Sequence, residues 1–179
     1  MINVVICGDC GEKTLTRAVV NACTKYGGAV VCDGDKIYGT EKDPKYLVFS
    51  MCTLADLYLP DSIVVLGKAL MQIQKCIKLD NTVCVLDTDN NAAIELLGGS
   101  DALAVGCSMS EHDTLTVSGN IDENTSLVSL RRNLRTSSGV IEPQDFIVKT
   151  DSSFPIYPRL AAASVLLLGG TDSTDGFQF

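Results

Sequence analysis

Apolar residues fall in short clusters separated by polar turns, and the spacing within each cluster predicts the element it forms. Val4-Val5-Ile6-Cys7 is an unbroken apolar run of strand length, breaking into Gly8-Asp9-Cys10-Gly11-Glu12-Lys13-Thr14. Leu15, Ala18, Val19, Ala22 and Cys23 then recur at helical spacing, predicting an amphipathic helix over Leu15 to Tyr26 closed by Gly27-Gly28. Ala29 to Cys32 reads as a buried strand ending in the turn Asp33-Gly34-Asp35, and Lys36 to Pro44 as polar connection. Tyr46 to Phe49 and Ser62 to Leu66 are the next strands, the second introduced by Pro60-Asp61. Cys52 to Leu59 between them is a short helix or an irregular crossing.

Ala69, Leu70, Ile73 and Ile77 trace one face of a further helix. Asn81 to Leu86 makes a fifth strand ending at Asp87-Thr88-Asp89. Asn90 or Asn91 caps a helix through Leu97 that Gly98-Gly99 stops, and Ala102 to Gly106 is a sixth strand. Strands alternating with helices predict the α/β class: a three-layer, doubly wound, mostly parallel sheet.

After Cys107 the period changes. Thr114 to Ser118 alternates apolar with polar, as do parts of Ser126 to Leu134 and of Phe146 to Lys149, the signature of a small antiparallel sub-sheet with one wet face. Pro158 to Leu168 reads as a closing helix with proline in its first turn and Gly169-Gly170 at its end. The organisation predicted is one domain over 1–170: a parallel core (1–107), antiparallel strands (108–150) and a closing helix (155–170). The polar tail 171–179 is expected to fray.

The first turn carries the candidate chemistry. A strand, a glycine loop, Lys-Thr and a helix is the order that holds phosphate. Gly8 and Gly11 let backbone amides approach an anion, Lys13 adds charge, and the Thr14 hydroxyl can hold magnesium when a Mg-nucleotide binds. Two acids oppose this. Glu12 stands directly before the lysine, where a glycine is usual, and Asp9 adds a second negative charge. The other reading of Lys13 and Thr14 is a solvated lysine and a helix-end threonine in a vestigial loop. Asp89, with Asp87, is either a metal or ribose contact at the sheet edge or a turn-forming, capping aspartate; Asp33 and Asp35 are judged alike.

No catalytic residue is assignable: His112 reads as a surface imidazole, and Ser108 and Ser110 have no base near them in sequence. Arg131, Arg132 and Arg135 fall on an antiparallel strand, as edge-protecting charges or as a recruiter of an acidic partner or a phosphate.

Composition trims the alternatives. A chain of 179 residues can bury roughly 70% of its unfolded surface in one core. The net charge of −8 and the absence of a basic stripe argue against nucleic acid. No run approaches the roughly 20 apolar residues of a membrane span. Eight cysteines suggest disulfides or metal, but the chain opens in a strand without a leader pattern, which points to a reducing, cytoplasmic compartment. Cys7 and Cys10 form one C-x-x-C with no second pair, so a zinc site is poorly supplied and a redox pair stands against buried thiols.

The order of these landmarks resembles the central, ATP-binding domain of the Mur ligases and their folylpolyglutamate synthetase relatives, over roughly 2–170. Gly8 to Thr14 with Leu15-Thr16 looks like that family's G-T-N-G-K-T-T-T loop with one extra residue. Val85 to Asn90 is similar to V-L-N-A-D-D, and Ala104 to Ser108 to the turn into its small antiparallel sheet. Pro155 to Ala162 looks like N-V-Y-N-A-L-A-A.

The resemblance implies ATP and magnesium as cofactors, and the departures imply lost chemistry. The strand over Tyr46 to Met51 ends without the family's metal-binding glutamate, having Phe49, Ser50 and Met51 there. Gly67-Lys68-Ala69-Leu70 stands where T-N-x-x-x-D-H would fall, and Pro155 and Pro158 replace both asparagines of N-x-x-N. The resulting expectation is a stand-alone, degenerate Mur-ligase-like domain without ligase catalysis. It would act as a weak nucleotide- or phosphate-binding module, or bind a protein partner or a second copy of itself. The alternatives are an ATP-dependent amide ligase or ATPase component completed by a second chain, and a regulatory ATPase of the deviant-loop type, whose strand ending in D-x-D is matched by Ala29 to Asp35.

Overall fold

The computed structural model describes residues 1–11, 13–39, 42–52, 57, 59, 61–70, 79, 81–151 and 153–179. Strand β1 (Ile2–Cys7) lies at the centre of the sheet, between β4 (Tyr46–Met51) and β5 (Ile63–Leu66), parallel to both. On one side β4 is followed by β2 (Ala29–Asp33) and β3 (Lys36–Gly39); on the other, β5 is followed by β6 (Val83–Asp87) and β7 (Leu103–Ser108). The chain thus works outward from β1 in both directions, and the crevice at this reversal opens on the carboxyl edge of the strands.

Alternate residues of the central strands feed two separate cores. Val4 and Ile6 of β1, with Ile63 and Val65 of β5, join the core under α1 (Thr14–Lys25) and α3 (Ile156–Leu168). Val5, Cys7, Val64 and Leu66 join the opposite core with Ala93 of α2 (Asn91–Leu97). Two cores on the two faces of one sheet make the three-layer α/β architecture, in agreement with the alternation read from the sequence. α1 begins at Thr14 and α3 at Ile156, slightly earlier than expected.

The antiparallel strands continue the same sheet. β7 pairs in parallel with β8 (Leu115–Asn120), and β9 (Thr125–Leu130) and β12 (Gln144–Lys149) follow antiparallel. A small separate sheet pairs β10 (Leu134–Thr136) with β11 (Gly139–Ile141). Arg135 lies on β10, whereas Arg131 and Arg132 follow β9 outside any strand; Arg132 Nη2 donates to the His112 carbonyl at 2.8 Å.

Two expectations are corrected. Lys36–Gly39 is a strand, because Gly34 at φ +58° makes a two-residue turn that folds it back on β2. All four of its residues are exposed, so no burial period marks it. The tail does not fray: Phe177–Gln178 forms β13 beside β12, and Phe177 and Phe179 are buried. Phe177 stands edge-on to Tyr26 and Phe146, with ring centroids 5.5 and 5.4 Å away. Two buried rings outweigh the polar residues between them.

The helix expected through Ile73 and Ile77 lies outside the described residues beyond Leu70. So do Cys76, most of the Cys52 to Leu59 crossing, Pro60, and Glu12 of the glycine loop. No helix among the described residues is long and apolar enough to cross a membrane.

Phe177→Ala should cost about 3 kcal/mol in urea unfolding, by loss of a buried ring between two aromatic partners. A frayed tail would cost less than about 0.5 kcal/mol.

Candidate functional site

At the carboxyl edge the loops after β1, β5, β6 and β7 and the start of α3 enclose a cavity of about 500 Å³. The two central loops meet through their backbones: Gly67 N–H donates to Cys7 O at 2.6 Å and Ala69 N–H to Gly8 O at 2.9 Å. A Cβ on Gly67 would lie 2.5 Å from Gly8 O, so only glycine permits the approach. Gly8 itself turns at φ +77°.

Tyr157 forms part of the cavity wall. Its hydroxyl donates to Leu66 O at 2.6 Å and lies 3.3 Å from Val85 O, tying α3 to the ends of β5 and β6. Burial pushes this phenol well above its ordinary value, so it remains a donor.

The glycine loop is occupied by its own charges. Lys13 sits at φ 51°, ψ 35° before the first turn of α1, and its Nζ lies 2.6 Å from both carboxylate oxygens of Asp33 at the end of β2. That bond raises the Lys13 ammonium above its usual range, with loss of water opposing. Asp9 Oδ2 accepts the Thr16 N–H at 2.6 Å. Thr16 is the third residue of α1, so a carboxylate of the protein sits on an amide that a helix end offers to an anion. The Thr16 hydroxyl lies 3.2 Å from the Ser50 hydroxyl at the end of β4, both buried.

Of the residues singled out from sequence, Gly8, Lys13, Thr14 and Asp89 line the cavity, while Gly11 turns at φ +89° in the exposed part of the loop. Asp87 also lines it, buried, and its Oδ1 accepts the Asp89 N–H at 3.1 Å, a local turn bond. Asn90 does not cap α2 with its side chain; its Nδ2 donates to Gly67 O at 3.0 Å and braces the β5 loop.

Ser108 lines the cavity and donates to buried Asp113, which also accepts from Thr88 at 2.9 Å. His112 stands apart, exposed. Among the described residues no three His, Cys, Asp or Glu side chains converge as a metal site. The Cys7/Cys10 pair is also unlike a redox couple: Cys7 is buried, with its thiol pushed up to about 12 by desolvation and then by Cys84, while Cys10 is exposed and faces Cys52.

Sequence reasoning missed three things here. Lys68 lines the cavity as an exposed cation, Asp33 holds Lys13, and Asp9 holds Thr16. Asp9 had a legible signal, an acid seven residues before a helical amide in a tight loop. The Lys13–Asp33 pair had none, because it depends on which strand lies beside β4.

Solved structures of the same shape cover nearly the whole chain. The murein peptide ligase of Psychrobacter arcticus 273-4 superposes on 97% of this chain with a TM-score of 0.60 at 14% identity. The fold is that of the Mur ligases. A UDP-N-acetylmuramoyl-L-alanyl-D-glutamate--2,6-diaminopimelate ligase matches 96% of the chain (TM-score 0.57, 10% identity), and MurF from Acinetobacter baumannii also 96% (0.53, 10%). The chain spans 45%, 44% and 43% of these three Mur ligases, less than half of each. No protein-family model and no curated protein sequence matches it.

Tyr157→Phe should cost about 1 kcal/mol in denaturant unfolding, by loss of the buried hydrogen bond from the phenol to the Leu66 carbonyl. A change within 0.5 kcal/mol, the range of a neutral surface substitution, would mean the phenol does not tether α3.

Proposed function

We propose that this chain is a nucleotide- or phosphate-binding module on the Mur ligase fold, held at low affinity by its own carboxylates and not competent for amide ligation by itself. The observation that carries the reading is the Asp9 carboxylate on the Thr16 amide. It places a negative charge at the helix end that a phosphate would use, while Asp33 engages the lysine that would meet the same phosphate.

A cavity of about 500 Å³ is within the range of small-ligand sites, and its glycine-lined mouth supports a phosphorylated ligand over an apolar one. Lys13, Lys68 and Thr14 are the residues that would hold ATP phosphates, with Asp89 near the sugar or the metal. Bound magnesium would supply charge neutralisation between the phosphates.

Ligation through an acyl-phosphate requires more. It needs carboxylates set for the metals and an acceptor amine brought in line. Ser50, its hydroxyl bonded to Thr16, is the penultimate residue of β4, in the region where the family resemblance implies a glutamate. Pro155 and Pro158 line the cavity where asparagines would reach the adenine. These departures support binding without ligation.

The test is thermal unfolding with millimolar Mg-ATP, together with phosphate release. The wild type should be stabilised, by about 2.7 kcal/mol at 100 times Kd, and Lys13→Ala should abolish the shift. Asp9→Asn should tighten Kd about tenfold, the effect of removing one nearby charge at intermediate dielectric. No stabilisation in either the wild type or Asp9→Asn would remove the nucleotide reading. Phosphate release lost in Lys13→Ala would overturn the non-catalytic half.

A further inference from the structure

Cys10 lies in the glycine loop after β1, and Cys52 directly follows the last residue of β4. The two strands are parallel neighbours with Cys7 opposite Met51, and Gly8 N–H donates to Met51 O at 3.0 Å, so both chains leave the sheet side by side. Cys10 Sγ donates to the Cys52 backbone carbonyl at 3.8 Å, which brings the two cysteines against each other. Both residues are exposed.

We propose that Cys10 and Cys52 form a reversible dithiol–disulfide site that fastens the glycine loop to the end of β4. The other described cysteines are less available. Cys7, Cys23, Cys84 and Cys107 are buried, with desolvation pushing their thiols to about 12, 12, 11 and 12. Cys32 is half-buried in β2. The Cys10 thiol is raised first by its bond to Cys52, then by desolvation and by the charges of Cys52 and Asp9, with Lys13 opposing. Cys10 therefore rests as the thiol at neutral pH, and closure requires an oxidant.

A low-molecular-weight disulfide such as oxidised glutathione supplies it. The thiolate of one cysteine attacks the glutathione disulfide, forming a mixed disulfide and releasing one glutathione thiol. The second cysteine displaces the other glutathione, so one S–S bond forms as one breaks, and two electrons and two protons pass from the protein to the two glutathiones. This site does not rest on nucleotide binding.

The test is oxidation of the full chain by glutathione disulfide, followed by thiol titration, peptide mapping and thermal unfolding without reductant. The expected result is loss of two thiols per chain, no retained glutathione, one linked peptide joining Cys10 to Cys52, and reversal by dithiothreitol. Closing a loop with the 42-residue separation of the pair should also raise Tm by roughly 5–10 °C. Cys10→Ser and Cys52→Ser should each retain one glutathione on the remaining cysteine. Glutathione retained on wild-type Cys10 or Cys52, a linked peptide involving another cysteine, or failure of both thiols to oxidise would overturn the proposal.

Discussion

From Tyr157 to Leu168 helix α3 offers no residue to solvent, and every neighbour must therefore fit it. It packs on α1 and on strands of the parallel core and the antiparallel extension alike. A helix that is apolar on all sides is stable only inside such an enclosure. Its polar members are satisfied internally: Ser164 donates back to Leu160 O at 2.8 Å, and Arg159 donates to Phe154 O at 2.7 Å, to Ser126 Oγ at 3.1 Å and to the Glu123 carbonyl. Because α3 is committed to the core along its length, its first turn is fixed at the carboxyl edge, where Tyr157 meets β5 and β6. The cavity wall is thus a by-product of core packing.

The same edge has an electrostatic constraint. Asp9, Asp87 and Asp89 line the cavity with Lys13 and Lys68, in a chain of net charge −8. The partly exposed Lys13–Asp33 pair contributes little to stability, since such pairs are worth about 0–1 kcal/mol. Its effect would fall on a ligand, because a phosphate entering the cavity would compete with a carboxylate for the lysine and with Asp9 for the Thr16 amide. Cys10 belongs to the same loop, so the segment that would receive an anion is also the one that faces Cys52.

The legible parts of this protein are those whose signal lies within about a dozen neighbouring residues. The run Val4 to Cys7, the stripe through Leu15, Ala18, Val19 and Ala22, and the Ala- and Leu-rich closing helix all carry their burial pattern in their own spacing. The landmark order from Gly8 to Ala162 was enough to indicate the architecture that the solved structures share. β3 was not legible, because a fully exposed edge strand has no apolar face to read. The tail misled because two phenylalanines among polar residues say nothing of the groove that receives them.

By itself the sequence determined the strand–helix alternation and the glycine turn with its adverse acids; these are local or positional properties. Only the tertiary structure decided that Lys13 is held by Asp33, that Asp9 reaches Thr16, and that Cys10 faces Cys52 instead of pairing with Cys7. Each of those contacts joins segments whose adjacency depends on β4 lying between β1 and β2 or on the exact fold of a loop. The order of strands in a sheet is set by global packing and leaves no mark in the spacing of residues along the chain.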